Sequence, residues 1–274
     1  MADDDIMASD LALKSEEARS QEPERDRKFV EALSRGLDVL RAFSQGAVIL
    51  GNQDIAHVTG LPKPTVSRMT HTLTRLGYLS YNPVFEKYQL SVGVLSLGYA
   101  YVSNLKVRQV AKPYMEEFAR RTNMSVGLTC HDRLHMIYVE NRMPPEATLL
   151  RMEIGRRLPM ATTSAGRAYC AAVSESVRTI LMDGMAKKYG DQWPEKKEGL
   201  ERAIEDYKTS GFCVSVGEWD RNINSAGAPI TLEDGTTMVL ICAAPSYQIS
   251  GEELRKTIAP QITMLASHIE SLGG

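Results

Sequence analysis

Residues 60–80 read GLPKPTVSRMTHTLTRLGYLS, and this stretch decides the fold of the N-terminal part of the chain. Its two prolines, Pro62 and Pro64, suit the first turn of a helix, because the amide groups of that turn have no partners within the helix. Apolar residues then recur at every third or fourth position as far as Gly77, and a glycine commonly follows the last turn of a helix. The spacing predicts a helix that ends at about Leu76.

The predicted helix has two faces of different chemistry. Its apolar face is formed by Val66, Met69, Leu73 and Leu76. A polar face at the same spacing is formed by Thr65, Arg68, Thr72 and Arg75, with Ser67 and His71 beside it. A helix that enters the major groove of DNA needs one face held by the core and the other free to meet bases and phosphates. The pattern favours a recognition helix, although periodicity alone leaves open a solvated face in an ordinary helical subdomain.

The neighbouring segments complete the order of a winged helix-turn-helix. Helices are predicted over residues 29–44 and 53–59, with Gly60 ending the second. Short strands are predicted at residues 78–80 and 87–90, joined by a turn at Asn82-Pro83. The residues expected to contact DNA are Arg35, Lys63, Thr65, Ser67, Arg68, His71, Thr72, Arg75 and Lys87. Residues 92–106 follow as an amphipathic connecting helix that is also suited to pack against a partner chain.

The C-terminal part mixes strands with helices. Strands are predicted at residues 125–130, 134–140, 147–153, 212–216, 223–228 and 238–243. Helices are predicted at residues 107–122, 164–173, 175–185, 196–210 and 250–272. This alternation indicates an α/β domain of the sensor type.

Composition limits the classes of protein. The chain has 274 residues, a net charge of -2 and four cysteines, none of them in a CxxC pair. Collagenous, disulfide-stapled and integral-membrane proteins are excluded by this composition, and zinc binding through these cysteines is not expected. The small net charge hides an acidic stretch at residues 1–27, which is predicted to be disordered, and a mildly basic stretch at residues 28–92.

Several motifs resemble the isocitrate-lyase-regulator (IclR) family of bacterial transcription regulators. In the N-terminal part the resemblance rests on residues 29–40, 60–68, 76–79, 88–93 and 95–98. Weaker similarities to the family follow at residues 158–168, 217–218, 228–230 and 272–273. The chain departs from the family pattern at Asn52, where leucine is usual, and at Asn222-Ile223, where Gly-Val is usual.

The resemblance implies an α+β protein with four parts. These are an acidic tail (residues 1–27), a winged helix-turn-helix DNA-binding domain (28–91), a linker helix (92–107) and a GAF-like α/β effector-binding domain (108–274). It implies a cytoplasmic homodimer or homotetramer that binds palindromic promoter DNA and senses a small organic acid, including aromatic acids. It implies repression or activation of transcription, and no enzyme activity, cofactor, metal or membrane.

The resemblance also assigns an effector pocket between the sheet and the start of the helix that Ser164 opens. Ser164, Ala165 and Gly166 lie at that helix start, where free amide groups suit an anion. Leu158 and Met160 are expected on the apolar wall. Positions expected on the later strands are Ser215, Ser225, Cys242 and Ala244.

Two other functions remain open from the sequence. GAF-like domains include cysteine-based sulfoxide reductases, in which Cys130 or Cys242 would be the nucleophile, but the sequence offers neither an evident neighbouring base nor a resolving cysteine. An assembly adaptor whose winged helix binds protein is the other alternative.

Overall fold

A computed structural model of the chain describes residues 28–43, 48–144 and 152–273. The predicted disordered tail, residues 1–27, lies outside the described residues. The described chain falls into two compact units that divide between Tyr99 and Ala100.

The N-terminal unit is a winged helix-turn-helix, as predicted. Three helices, α1 (Glu31–Ala42), α2 (Asn52–Thr59) and α3 (Lys63–Arg75), precede the antiparallel strands β1 (Leu79–Asn82) and β2 (Lys87–Leu90). Leu50 adds a short bridge to Tyr88 of β2. The core of this unit comprises Val39, Ala42, Phe43, Leu50, Ile55, Val66, Leu73 and Leu79.

The turn between α2 and α3 depends on Gly60. Its φ of 70° lies in the left-handed region, and its amide donates to the carbonyl of Ala56, which closes the last turn of α2. A glycine adopts this conformation without steric cost. Gly60 therefore fixes the direction in which α3 leaves α2.

Helix α4 (Val92–Asn104) spans the division between the units, and none of its residues is buried. Helix α5 (Lys106–Thr122) then begins the packed part of the C-terminal unit.

The C-terminal unit is built on a six-stranded antiparallel sheet of order β5-β4-β3-β8-β7-β6. The strands are β3 (Ser125–Asp132), β4 (His135–Arg142), β5 (Arg157–Pro159), β6 (Cys213–Val216), β7 (Ile223–Thr231) and β8 (Thr237–Pro245). The helices are α5, α6 (Ser164–Ala172), α7 (Glu175–Tyr189), α8 (Trp193–Ser210) and the closing helix α9 (residues 251–273). A π-helical turn, Leu254–Ile258, lies inside α9.

Each face of the sheet has its own core. Helices α5 and α9 cover one face, where Phe118, Leu128 and Ile262 are buried. Helix α6, backed by α7 and α8, covers the other, where Met136, Leu158 and Ile241 are buried. The sheet is therefore buried on both sides, which suits its long apolar strands.

One strand prediction differs from the structure. The strand predicted at residues 147–153 lies largely outside the described residues, and Met152 and Glu153 are not in a strand. The short strand β5 (Arg157–Pro159), which was not predicted, pairs with β4 instead.

Candidate DNA-binding surface and effector cavity

One face of helix α3 packs into the core of the N-terminal unit. Val66 and Leu73 are buried, as the spacing predicts, and Met69 packs against them in part. Leu76 differs from the prediction, since it is 64% exposed and lies beyond the last helical residue.

Thr70 is a buried contact that the periodicity missed. Its hydroxyl donates to the side-chain oxygen of Asn52 at 3.1 Å, which ties α3 to the start of α2. Buried polar groups need such partners, and this pair explains why an asparagine is tolerated at position 52.

The opposite face of α3 is open. Lys63, Ser67, Arg68, His71, Thr72 and Arg75 are exposed and Thr65 is half-buried. The Thr72 hydroxyl donates to the carbonyl of Arg68 at 2.9 Å, so it offers its lone pairs and methyl group outward. Arg68 and Arg75 therefore supply the long donors of this surface.

The two expected DNA-backbone contacts outside α3 are engaged in ion pairs. The Arg35 guanidinium lies 2.7 Å from the Glu31 carboxylate on the same helix, and the Lys87 ammonium lies 3.5 Å from Asp54. The amide of Gly51, followed by the charge of Lys87, lowers the pKa of Asp54. Exposed pairs of this kind are weak, so both cations remain available to a phosphate.

A small cavity of about 20 Å³ lies between the sheet and the start of α6. Its lining consists of Tyr138, Met152, Arg156, Leu158, Thr163, Ser164, Trp219, Ile223, Ser225, Ile241 and Ala243. The Ser164 hydroxyl donates to the Ser225 hydroxyl at 2.8 Å across the cavity wall. Three of the nine expected effector residues, Leu158, Ser164 and Ser225, are thus brought together here.

Four other expected residues lie near this cavity without lining it. Met160, Ala165 and Gly166 are buried in the packing of α6 against the strand end. The Ser215 hydroxyl donates to the carbonyl of Thr162 at 2.8 Å, a contact that holds β6 to the segment before α6.

Cys242 and Ala244, the two remaining expected residues, do not line this cavity. Both pack into the core on the α5 and α9 face of the sheet, whereas Ile241 and Ala243 face the cavity. Side chains alternate along a strand, so an assignment displaced by one residue moves to the other face. Burial raises the pKa of Cys242 to about 12, and burial also raises the pKa of Cys130, so neither is an activated thiol.

Arg156 and Trp219 were missed as lining residues. The guanidinium carbon of Arg156 lies 5.4 Å from the centre of the Trp219 ring, and both side chains line the cavity. Nothing in the spacing of the sequence marks Arg156, because it precedes a strand that was not predicted.

Glu218, the neighbour of Trp219, holds its loop in place through an ion pair. Its carboxylate accepts from both terminal nitrogens of Arg167 on α6, one of them at 2.6 Å. Arg167 is 3% exposed and also donates to the carbonyls of Ala161 and Val214. The loop that carries Trp219 is therefore fixed to the helix that forms the cavity wall. A wider cleft of about 540 Å³, which Arg167 and Glu218 also line, contains none of the residues expected to bind an effector.

The geometry agrees with the comparisons. Residues 32–83 match the model of the IclR helix-turn-helix domain, and residues 99–271 match the model of the C-terminal domain of bacterial IclR transcriptional regulators. The chain belongs to the IclR family.

Known IclR-family members extend this likeness over most of the chain. The regulator TsaQ1/TsaQ2 of Comamonas testosteroni is 32% identical over 246 residues, which are 89% of this chain and 88% of that protein. The crystal structure of an IclR-family regulator from Brucella abortus is 43% identical, covers 90% of this chain and 94% of its own, and superimposes with a TM-score of 0.84. An IclR homologue from Microbacterium hydrocarbonoxydans, crystallised with 4-hydroxybenzoate, shares the fold with a TM-score of 0.67 at 22% identity, over 88% of this chain and 98% of its own.

The family assignment settles the class of function. The chain is a transcriptional regulator with a helix-turn-helix DNA-binding domain and a C-terminal effector domain, and it is not an enzyme. The reductase alternative is thereby excluded. Within the described residues no helix is both long and apolar enough to cross a membrane, and no cluster of metal-ligating side chains was found.

Proposed function

We propose that this IclR-family regulator binds a palindromic promoter site in the cytoplasm as a homodimer and responds to a small organic acid held in the cavity beside α6. The observation that carries the DNA-binding part is that α3 is buried on one face and exposed on the other. Val66, Thr70 and Leu73 are clamped in the core while Arg68 and Arg75 face outward. A helix held in this way presents a fixed row of donors to the major groove.

The homodimer is supported by helix α4. Val92, Leu95 and Tyr99 are 77%, 66% and 66% exposed and recur at a spacing close to the heptad. A row of exposed apolar side chains on one helix marks an interface. A two-fold dimer would present two copies of α3, which matches the symmetry of a palindrome.

The organic acid is supported by the lining of the cavity. Leu158 and Ile241 supply apolar wall, and Ser164, Ser225 and Arg156 supply groups that hydrogen-bond to an anion. An acid bound there changes DNA affinity only if it binds the two conformations of the dimer with different affinities.

Selection of binding sites from a pool of random duplexes tests the DNA part. We expect the selected sequences to contain an inverted repeat whose affinity, measured by fluorescence anisotropy, falls steeply as salt is raised. Mutation of one half-site should weaken binding strongly. Failure to enrich any duplex, or affinity that does not depend on salt, would favour the protein-binding adaptor.

The effector part is tested on the same protein. Organic acids, starting with 4-hydroxybenzoate, are screened by thermal shift, because a ligand that prefers the folded state raises the melting temperature. An acid that raises the melting temperature should also change the anisotropy titration. Stabilisation without any change in DNA affinity would contradict the regulatory role of the cavity.

A further inference from the structure

Arg156 and Trp219 form what we call the roof of the effector cavity, and they differ from the residues of its walls in secondary structure. Leu158, Ile241 and Ser225 belong to strands, and Ser164 begins α6. Arg156 and Trp219, by contrast, lie outside every helix and strand. Arg156 is exposed and Trp219 is half-buried, and the two stack at 5.4 Å.

The present volume of the cavity requires a movable part. A space of about 20 Å³ is close to what one water molecule occupies. An organic acid has several heavy atoms and enters only if a lining side chain turns away. Residues packed in the sheet and α6 cannot do so without disturbing the core, and the lining residues Met152 and Thr163 are also buried, at 2% and 3% exposed. This leaves the stacked pair of the roof.

The loop that carries Trp219 does not open the cavity by moving as a body, because the adjacent Glu218 is bound to Arg167 through both carboxylate oxygens. Arg167 is itself buried in the packing of α6. Turning of the Trp219 and Arg156 side chains about their own bonds therefore opens the cavity while the backbone stays in place.

The chemistry beneath the roof suits a carboxylate attached to a flat apolar group. Burial raises the pKa of Tyr138 far above its usual range, so its hydroxyl stays protonated and keeps its capacity to donate. The Ser164 and Ser225 hydroxyls add polar groups, and Ile241 and Met152 add apolar wall. A guanidinium pairs with a carboxylate in a planar, charge-assisted geometry, and an indole stacks on a flat ring.

We propose that Arg156 and Trp219 form the gate of the effector cavity, and that Arg156 selects a carboxylate while Trp219 stacks on the flat body of the same ligand. The contact between the two side chains is exchanged for contacts with the ligand. This assignment rests on the proposed function, since it takes the cavity to be the effector site.

The test uses the fluorescence of Trp219. The chain has two tryptophans, and Trp193 stacks on Tyr189 within the helical layer and does not line the cavity, so Trp193→Phe leaves Trp219 as the only indole. This variant is titrated with benzoate and 4-hydroxybenzoate, and with the neutral benzamide and 4-hydroxybenzamide. We expect at least one carboxylate to change the Trp219 emission with saturation, and to bind about tenfold or more tightly than its amide.

Arg156→Gln in the same background should remove that preference. The carboxylate affinity is expected to fall by roughly 10- to 100-fold, with less than about a threefold change for the amide. Arg202→Gln, which alters an exposed arginine of α8, is the matched control and should bind both probes as the parent does.

Three outcomes would overturn the assignment. These are a carboxylate preference that persists in Arg156→Gln, equal binding of acids and amides by the parent, and no response of Trp219 to either acid at 10 mM, a limit of about 2.7 kcal/mol in binding. The thermal-shift screen of organic acids and the DNA anisotropy titration are run in parallel on the same Trp193→Phe variant. If an acid still raises the melting temperature and changes DNA affinity, the gate assignment fails alone; if no acid does so, the effector part of the proposed function fails as well.

Discussion

Arg68 is the side chain on which the DNA-binding surface depends most. It lies near the middle of the open face of α3, and no ion pair holds it back in the described N-terminal unit, whereas Arg35 and Lys87 each have an acidic neighbour. We expect Arg68→Ala to weaken binding to the selected duplex by at least about tenfold. If Arg68 contacts a guanine, selection with the variant should also lose a base preference at one position of each half-site.

The control for this measurement is Arg202→Ala, which removes an exposed arginine from the C-terminal unit. It should bind DNA as the wild type does. Equal losses in the two variants would mean that the general positive charge, and not α3, carries the affinity.

His135 makes the stability of the C-terminal unit depend on pH. Its ring nitrogens lie 3.1 Å from the Arg157 guanidinium and 3.0 Å from the Lys188 ammonium. Burial, and then the charges of Lys188 and Arg157, lower the pKa of His135 from 6.5 to about 4. Between these values the unfolded chain binds a proton that the folded chain does not, so the free energy of unfolding falls as the pH is lowered from 6.5 towards 4.

We expect His135→Gln to reduce that fall by on the order of 1 kcal/mol, after allowance for solvent screening of a half-exposed group. Urea unfolding at pH 4.5 and pH 7 measures it, and both tryptophans report on the C-terminal unit. An NMR titration of the His135 ring that gives a pKa near 6.5 would contradict the prediction.

Among the elements, helices were predictable and the faces of the inner strands were not. The recognition helix is marked by its prolines, its glycine and a clear apolar spacing, and it was found within one or two residues. Strand β8 is buried along almost its whole length, on both faces of the sheet. No alternation of polar and apolar residues therefore identifies the face of the candidate cavity, and the expected residues Cys242 and Ala244 lie on the opposite face.

The start of α6 packs closely against the backbone of Met160. A Cβ atom on Gly166 would overlap the backbone of Met160, which cannot turn aside as a side chain does. We expect Gly166→Ala to lower the free energy of unfolding of this unit by about 3 kcal/mol.

Gly184→Ala on α7 is the matched control, because the added methyl meets only the end of the Leu134 side chain, at 3.0 Å. Its effect should stay within about 1 kcal/mol, since alanine also favours the helix. Urea unfolding followed by tryptophan fluorescence compares the two variants. Similar stabilities would show that the contact between α6 and the Met160 backbone yields easily.

At the scale of the whole molecule, α4 is a helix whose apolar side chains are not buried within the described chain. Its residues are all exposed or half-exposed, although its sequence contains no charged residue. In a two-fold dimer each α4 would lie against its copy, so a glutamate at position 95 would bring two carboxylates into one apolar interface. We expect Leu95→Glu to be a monomer in sedimentation at concentrations where the wild type is at least a dimer.

The same variant separates the effect of dimer formation on DNA affinity from the contacts that a single α3 makes with DNA. Loss of the second α3 should weaken binding to the full palindrome by roughly 100-fold or more, because two linked contacts become one. Affinity for an isolated half-site should be unchanged. Ile180→Glu, which places the same charge at a 70% exposed apolar position on α7, is the control and should keep both the dimer and its affinity. If the Leu95→Glu protein remains dimeric, the dimer interface does not lie on α4, because a stable contact does not tolerate an uncompensated pair of buried charges.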